Sequence, residues 1–191
     1  MTFLVLGLIL FLGTHSVRIV ADGWRTAQVG RLGLNRWKGL YSLASAAGLA
    51  LVVWGYGLAR AEPVALWLPP AWTRHAAALL TLPAFILIAA AYVPGSRIKA
   101  ALGHPMLAGV KVWAIAHLLS NGNLADVLLF GAFLLWAVVD FRSARRRDRA
   151  AGVVYRPGSA ARDGLVVAAG TGAWALFAGF LHLWLIGVRP Y

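Results

Sequence analysis

Cysteine is absent from the 191 residues. That excludes disulfides, a thiolate-ligated haem, covalent haem attachment through a C-x-x-C-H element and every cysteine-based metal site. Histidine is left as the only strong soft-metal ligand, and there are five of them. Charge is scarce as well: 13% of the residues are charged and only six are acidic, against roughly 25% charged in an ordinary soluble domain. A water-facing surface cannot be made from such a composition. The chain also lacks G-x-S-x-G, Walker A and H-E-x-x-H elements, and no second carboxylate stands by to pair with Asp126 or Asp140. Nucleophilic and paired-carboxylate catalysis therefore find no support.

What is present is apolar. Hydrophobic residues make up 61% of the chain, and they gather in six runs at 3–19, 40–58, 76–93, 106–119, 124–141 and 165–188. Runs of this length and purity are read as transmembrane helices. The expectation is an all-α integral membrane protein in which residues 1–191 form a single domain, a bundle of about six transmembrane helices. The fourth run is short for a span, so a tilted or broken helix is expected there. The first run lacks a positive n-region and an A-x-A cleavage site and carries Arg18 at its far end, so it reads as a retained helix.

The formal net charge is +12, which in a soluble chain would suggest nucleic acid through counterion release. Placement argues otherwise. Arg18, Arg25, Arg31, Arg36 and Lys38 follow the first run, Arg97, Lys99 and Lys111 surround the start of the fourth, and seven Arg lie between Arg142 and Arg162. These alternating loops hold all positive residues except Arg60, Arg74 and Arg189. By the positive-inside rule the basic loops are cytoplasmic, both termini are outside, and the polar partner is the lipid headgroup rather than nucleic acid. The segment 60–75, with Pro63, Trp67, Pro69, Pro70 and Trp72, suits an ordered cap at the outer headgroup level. The 142–149 run reads as a solvated charge run or a short interfacial helix end.

Ionisable residues inside a span are costly and mark the bundle interior or a site. On the first run His15, Arg18 and Asp22 share a helical face: either His15 is a haem-iron ligand with Arg18 one turn away to meet a propionate, or it is a packed His beside an Arg18/Asp22 pair. On the fourth run His117 lies one turn beyond Trp113, while His104 and Lys111, seven residues apart, share another face. Lys111 either pairs with a propionate or phosphate or snorkels to the interface, and His104-Pro105 reads as a helix start. His182 follows Thr171, Ala175 and Ala178 on one small-residue face that favours close helix approach. Neutral imidazoles in an apolar bundle suit a b-type haem. Judged by depth, His15 and His117 stand roughly 13 Å apart along the membrane normal, whereas His117 with His182, or His15 with His104, is better matched.

Several stretches carry a resemblance: Gly13-Thr14-His15-Ser16-Val17-Arg18, Arg36-Trp37-Lys38-Gly39-Leu40-Tyr41-Ser42, Ala91-Tyr92-Val93-Pro94-Gly95, Gly103-His104-Pro105-Met106-Leu107, and Lys111-Val112-Trp113-Ala114-Ile115-Ala116-His117 on to Gly122. Over nearly the whole chain the sequence resembles the NnrU family. That resemblance implies a multi-pass protein of the bacterial inner membrane with a redox or isomerase-like role in denitrification, in nitrite and nitric oxide reduction. It also implies a respiratory or denitrification partner and a small apolar or gaseous ligand. The family is similar to the plastid zeta-carotene isomerase, a haem b membrane enzyme, whose haem ligands lie in a His-Ser element and a Trp-Cys-x-Ala-His element. Carried over, the metal ligands are His15 and His117, with Arg18, Lys111, His104 and Trp113 expected to contact the cofactor. Ala114 stands where the isomerase has its Cys, so thiolate ligand exchange is impossible here while bis-His ligation is not affected.

Two other readings compete. His104, Pro105 and Gly109 resemble the signature of isoprenylcysteine methyltransferases, which would imply S-adenosylmethionine. Gly103 replaces the expected Arg, Leu107 the expected aromatic, and the 142–149 basic run the acidic pair. The other reading is a non-enzymatic assembly factor for a respiratory complex, with the histidines making helix contacts only.

Overall fold

The computed structural model describes residues 1–190. Those residues are helical almost throughout, with no β-strand beyond two isolated bridges. Five helices are long and apolar enough to cross a membrane: Thr2–Val20, Leu34–Ala61, Trp72–Tyr92, Leu124–Ala150 and Ala160–Ile186. The chain is thus an all-helical, multi-pass membrane protein, as its composition demanded. Large apolar side chains such as Leu43, Leu79 and Leu135 point outward, which is the arrangement a hydrocarbon solvent stabilises. The sixth apolar helix, Pro105–Ser120, has 16 residues, or about 24 Å at 1.5 Å per residue. It falls short of a hydrocarbon core of about 30 Å, as its length in sequence foretold.

Two compact units emerge, Met1–Leu66 with Asn123–Ala132, and Trp67–Gly122 with the chain from Phe133 onward. In the first, α1 (Thr2–Val20) packs along α3 (Leu34–Ala61). Their backbones approach closely because the contacts are glycines. A Cβ on Gly48 would lie 2.7 Å from Phe11 N, and one on Gly7 2.5 Å from Val52 N. Without a hydrophobic drive between helices in lipid, such contact supplies the attraction. Leu4 is completely buried at this seam.

Between these helices the expectation of a basic loop from Arg18 to Lys38 is corrected. Residues Asp22–Leu32 form a helix, α2, and α3 already begins at Leu34, so Arg36 and Lys38 lie in its first turns. The reason is local. The stretch holds no proline, and Asp22 in the first turn and Arg31 in the last complement the helix dipole. Gly33 separates α2 from α3 at φ 81°, a conformation that only glycine adopts without strain. No residue of α2 is buried.

In the second unit α4 (Trp72–Tyr92) packs against α6 (Pro105–Ser120) and α8 (Ala160–Leu176). Again glycine makes the contact, Gly109 against the Ala84 carbonyl and Gly170 against the Ile86 backbone. Pro83 inside α4 removes one helix hydrogen bond, and near it Thr81 donates to the Ala78 carbonyl and accepts from Trp174 Nε1 at 3.1 Å. A short α5 (Arg97–Leu102) is capped by the Ser96 hydroxyl. Helix α6 starts at Pro105 with His104 at its N-cap, as expected. Helix α7 runs from Leu124 to Ala150 and so carries the arginine run as a helix, because arginine is a good helix former and Arg147 bonds Ser143 one turn back at 2.7 Å. After α8 a π-helical stretch, Phe177–Leu181, leads into α9 (His182–Ile186).

The segment between α3 and α4 is ordered by backbone bonds, as its Trp and Pro content suggested. In the first unit Leu124 N donates to the Val64 carbonyl at 2.8 Å, and in the second Trp67 N donates to the Gly122 carbonyl at 3.2 Å.

Candidate functional site

His15 sits on α1, and its Nδ1 lies 2.7 Å from the Phe11 carbonyl one turn earlier. A carbonyl oxygen only accepts, so Nδ1 carries the proton and the lone pair of the neutral ring is on Nε2. Phe11 lies against the ring at 4.3 Å and Tyr41 of α3 meets it edge-on at 5.3 Å. His117 on α6 repeats the device: Nδ1 donates to the Trp113 carbonyl at 2.9 Å, and the Trp113 ring lies 5.1 Å away, itself edge-on to Phe133. Metal-bound histidines commonly fix their second nitrogen in this way, which orients the ring and raises its basicity. His182 donates from Nδ1 to the Val188 carbonyl at 2.7 Å, beside Phe177. The π-helical stretch comes between it and Ala175, so the single helical face expected for Thr171, Ala175, Ala178 and His182 is interrupted.

Arg18 is placed as the spacing required, with Nε 3.9 Å from Asp22, but both side chains are about half exposed and Arg25 reaches the same carboxylate at 3.8 Å. Exposed pairs of this kind contribute little, on the order of 0–1 kcal/mol.

The face shared by His104 and Lys111 meets one partner helix at two points. His104 Nε2 lies 2.7 Å from Asp148 Oδ2, and Lys111 Nζ sits 3.8 Å over the ring of Phe141. His104, at the N-cap of α6, and Lys111 within it are seven apart, and so are their partners on the antiparallel α7. Tyr155, in the loop after α7, donates its hydroxyl to the same Asp148 oxygen at 2.5 Å and lies 3.4 Å from His104 Nε2. Burial, and then the hydrogen bond to the Asp148 carboxylate, push the Tyr155 hydroxyl pKa up. Gly103 leaves room for Tyr155 and Arg145, since a Cβ there would come within 2.8 Å of the phenol oxygen.

Sequence reasoning missed Asp148 and Tyr155 as partners of His104. It also missed a buried carboxylate in the first unit. Asp126, 2% exposed, accepts from Tyr56 OH at 2.6 Å, Asn123 N at 3.1 Å and Asn123 Nδ2 at 3.0 Å. The spacing Asn123-x-x-Asp126 is that of a capping box, and that signal was available. With three donors the carboxylate is satisfied by its own unit, which makes it a structural element.

Among the described residues no group of three or more His, Cys, Asp and Glu is placed to hold a metal ion. A porphyrin brings four nitrogens of its own, so iron in haem needs only one or two imidazoles. Within its own unit each of His15 and His117 has, beside aromatic rings, the Nε2-ligating tautomer that a single imidazole ligand of such an iron needs. His15 and Arg18 belong to the first unit, and His104, Lys111, Trp113 and His117 to the second.

Among comparisons with known proteins, a family model described as NnrU protein matches residues 3–190. No curated protein and no solved structure matches the chain.

Proposed function

The chain belongs to the NnrU family, and from that premise we propose that it binds haem b in the bacterial inner membrane, with a redox or isomerase-like role linked to nitrite and nitric oxide reduction. His15 and His117 are the proposed axial ligands. The observation that supports them is the shared local geometry: each donates Nδ1–H to the carbonyl one turn back on its own helix, at 2.7 and 2.9 Å. Each ring therefore holds a fixed orientation with its lone pair on Nε2. Haem would supply one-electron transfer or Lewis-acid chemistry, and the side chains would orient it and exclude water. Ala114, in place of a thiol, excludes a thiolate ligand at that position. Both termini lie outside and the basic segments face the cytoplasm in this reading.

The test is a visible spectrum of the detergent-purified protein after haem-replete expression, with and without reductant. A Soret band is expected. His15→Ala and His117→Ala should each lose most of it, whereas His75→Ala and His182→Ala retain it. A protein without a Soret band refutes haem binding, and loss at a different pair of histidines reassigns the ligands.

A further inference from the structure

We propose that Lys111 and Arg142 form a binding site for the phosphate of an acidic phospholipid on the hairpin of α6 and α7. The site shares Lys111 with the expected cofactor contacts but does not require haem to be bound.

The position is fixed from two helices. On α7 the composition changes abruptly after Phe141, from the apolar 124–141 to the basic 142–149, so Phe141 and Arg142 mark where the helix leaves hydrocarbon. Lys111, reached from the other helix, rests its ammonium on the ring of Phe141, the residue before Arg142, at 3.8 Å. Two independent segments therefore place a cation at one level, the level of lipid phosphates.

The charges there are unbalanced. The nearest acidic residue in sequence, Asp140, is engaged by Arg147 at 3.6 Å, and Asp148 is held by His104 and Tyr155. Among the described residues neither Lys111 nor Arg142 forms an ion pair. Lys111 is half-buried and Arg142 exposed. Two cations that repel each other beside an aromatic ring, with one open to the lipid side, are relieved by an oxyanion. An ammonium and a guanidinium together offer the donors a phosphate monoanion accepts. The ring supports the ammonium from beneath through cation–π attraction and leaves its remaining donors for the ligand.

Native mass spectrometry of the full chain released from detergent tests this. With phosphatidylglycerol or phosphatidylcholine added, the wild type should retain phosphatidylglycerol preferentially. Lys111→Ala/Arg142→Ala should weaken that retention about thirtyfold, two basic residues' worth of attraction at a membrane surface. Arg31→Ala, on α2, should leave it unchanged, and Lys111→Arg should preserve it, which separates charge from folding. Equal retention of the two lipids, or full retention by the double variant, overturns the proposal. If the double variant keeps its lipid but loses the Soret band, the oxyanion is a porphyrin carboxylate and the lipid site is wrong. Loss of lipid with an intact Soret band supports it whatever becomes of the haem ligands.

Discussion

Replacing Gly48 by alanine tests how the first unit is held together and how that packing reaches His15. The added Cβ would lie 2.7 Å from Phe11 N and 2.9 Å from Phe11 Cα. Ordinary van der Waals contact begins at 3.4 Å, so α1 must recede by about 0.7 Å at a point where the obstacle is backbone and has no rotamer to change. Overpacking of this kind costs roughly 1–3 kcal/mol. Alanine in place of glycine also favours the helix by about 1 kcal/mol, which obscures the cost in a single variant. Gly57→Ala isolates it, because Gly57 lies on the same helix with nothing within 4 Å of its Cβ position. Unfolding in SDS from dodecylmaltoside micelles, followed by the fluorescence of the nine tryptophans, should show Gly48→Ala less stable than Gly57→Ala by about 1–3 kcal/mol. The displaced residue, Phe11, also supplies the carbonyl that holds His15 Nδ1. The Soret band of Gly48→Ala should accordingly shift or weaken while that of Gly57→Ala is unaltered. Equal unfolding midpoints for the two alanine variants would refute the packing argument outright.

Two further outcomes concern polar contacts. Tyr155→Phe removes the hydroxyl that Asp148 accepts, and should lower the unfolding midpoint. Because folding raises the Tyr155 pKa, the neutral hydroxyl's contribution is present below the ordinary phenol value near 10 and fades as pH rises through the elevated value. The difference between wild type and Tyr155→Phe should thus hold steady to about pH 10 and shrink above it; a difference already lost at neutral pH would sink the assignment. Asp126→Asn turns one of two acceptor oxygens into a donor facing either Tyr56 or Asn123, at a cost of about 1–3 kcal/mol. That penalty, measured by the same SDS titration, should fall in a Tyr56→Phe background, and strict additivity would show that the two side chains do not interact.

The spans were legible because hydrocarbon leaves few ways to be wrong: long apolar runs bounded by Arg, Pro and Gly became α1, α3, α4, α7 and α8 with the following turns. The shortness of α6 was equally plain. Helix α2 was not, since it buries nothing and its polar sequence resembles a loop to any reading based on apolar length. The extension of α7 through the arginines stood only as one of two alternatives, a helix end or a solvated run, because charge density speaks to solvation and helix propensity speaks separately to backbone form. At the candidate site, residue types could be nominated but not their states. The protonated nitrogen of His15 and His117 depends on a rotamer that brings Nδ1 to a carbonyl. The partners of His104 lie 44 and 51 residues away, beyond any local pattern. The matching seven-residue spacing of Phe141 and Asp148 on α7 becomes visible only when the antiparallel register is known. The π-helical turn before His182 has no residue signature, and it defeats the periodicity that had placed that histidine on a common face.

The paired attachment of α6 to α7 has a mechanical consequence. A helix tied at one point still turns about its own axis, and one too short for the bilayer gains little orientation from hydrophobic matching. Two ties seven residues apart, at His104 and Lys111, remove that rotation. His117 lies six residues further along, about 240° around the axis at roughly 100° per residue, so its bearing is fixed remotely, by polar contacts at the opposite end of the helix. Loosening either tie would swing the imidazole like the far end of a key turned at its bow.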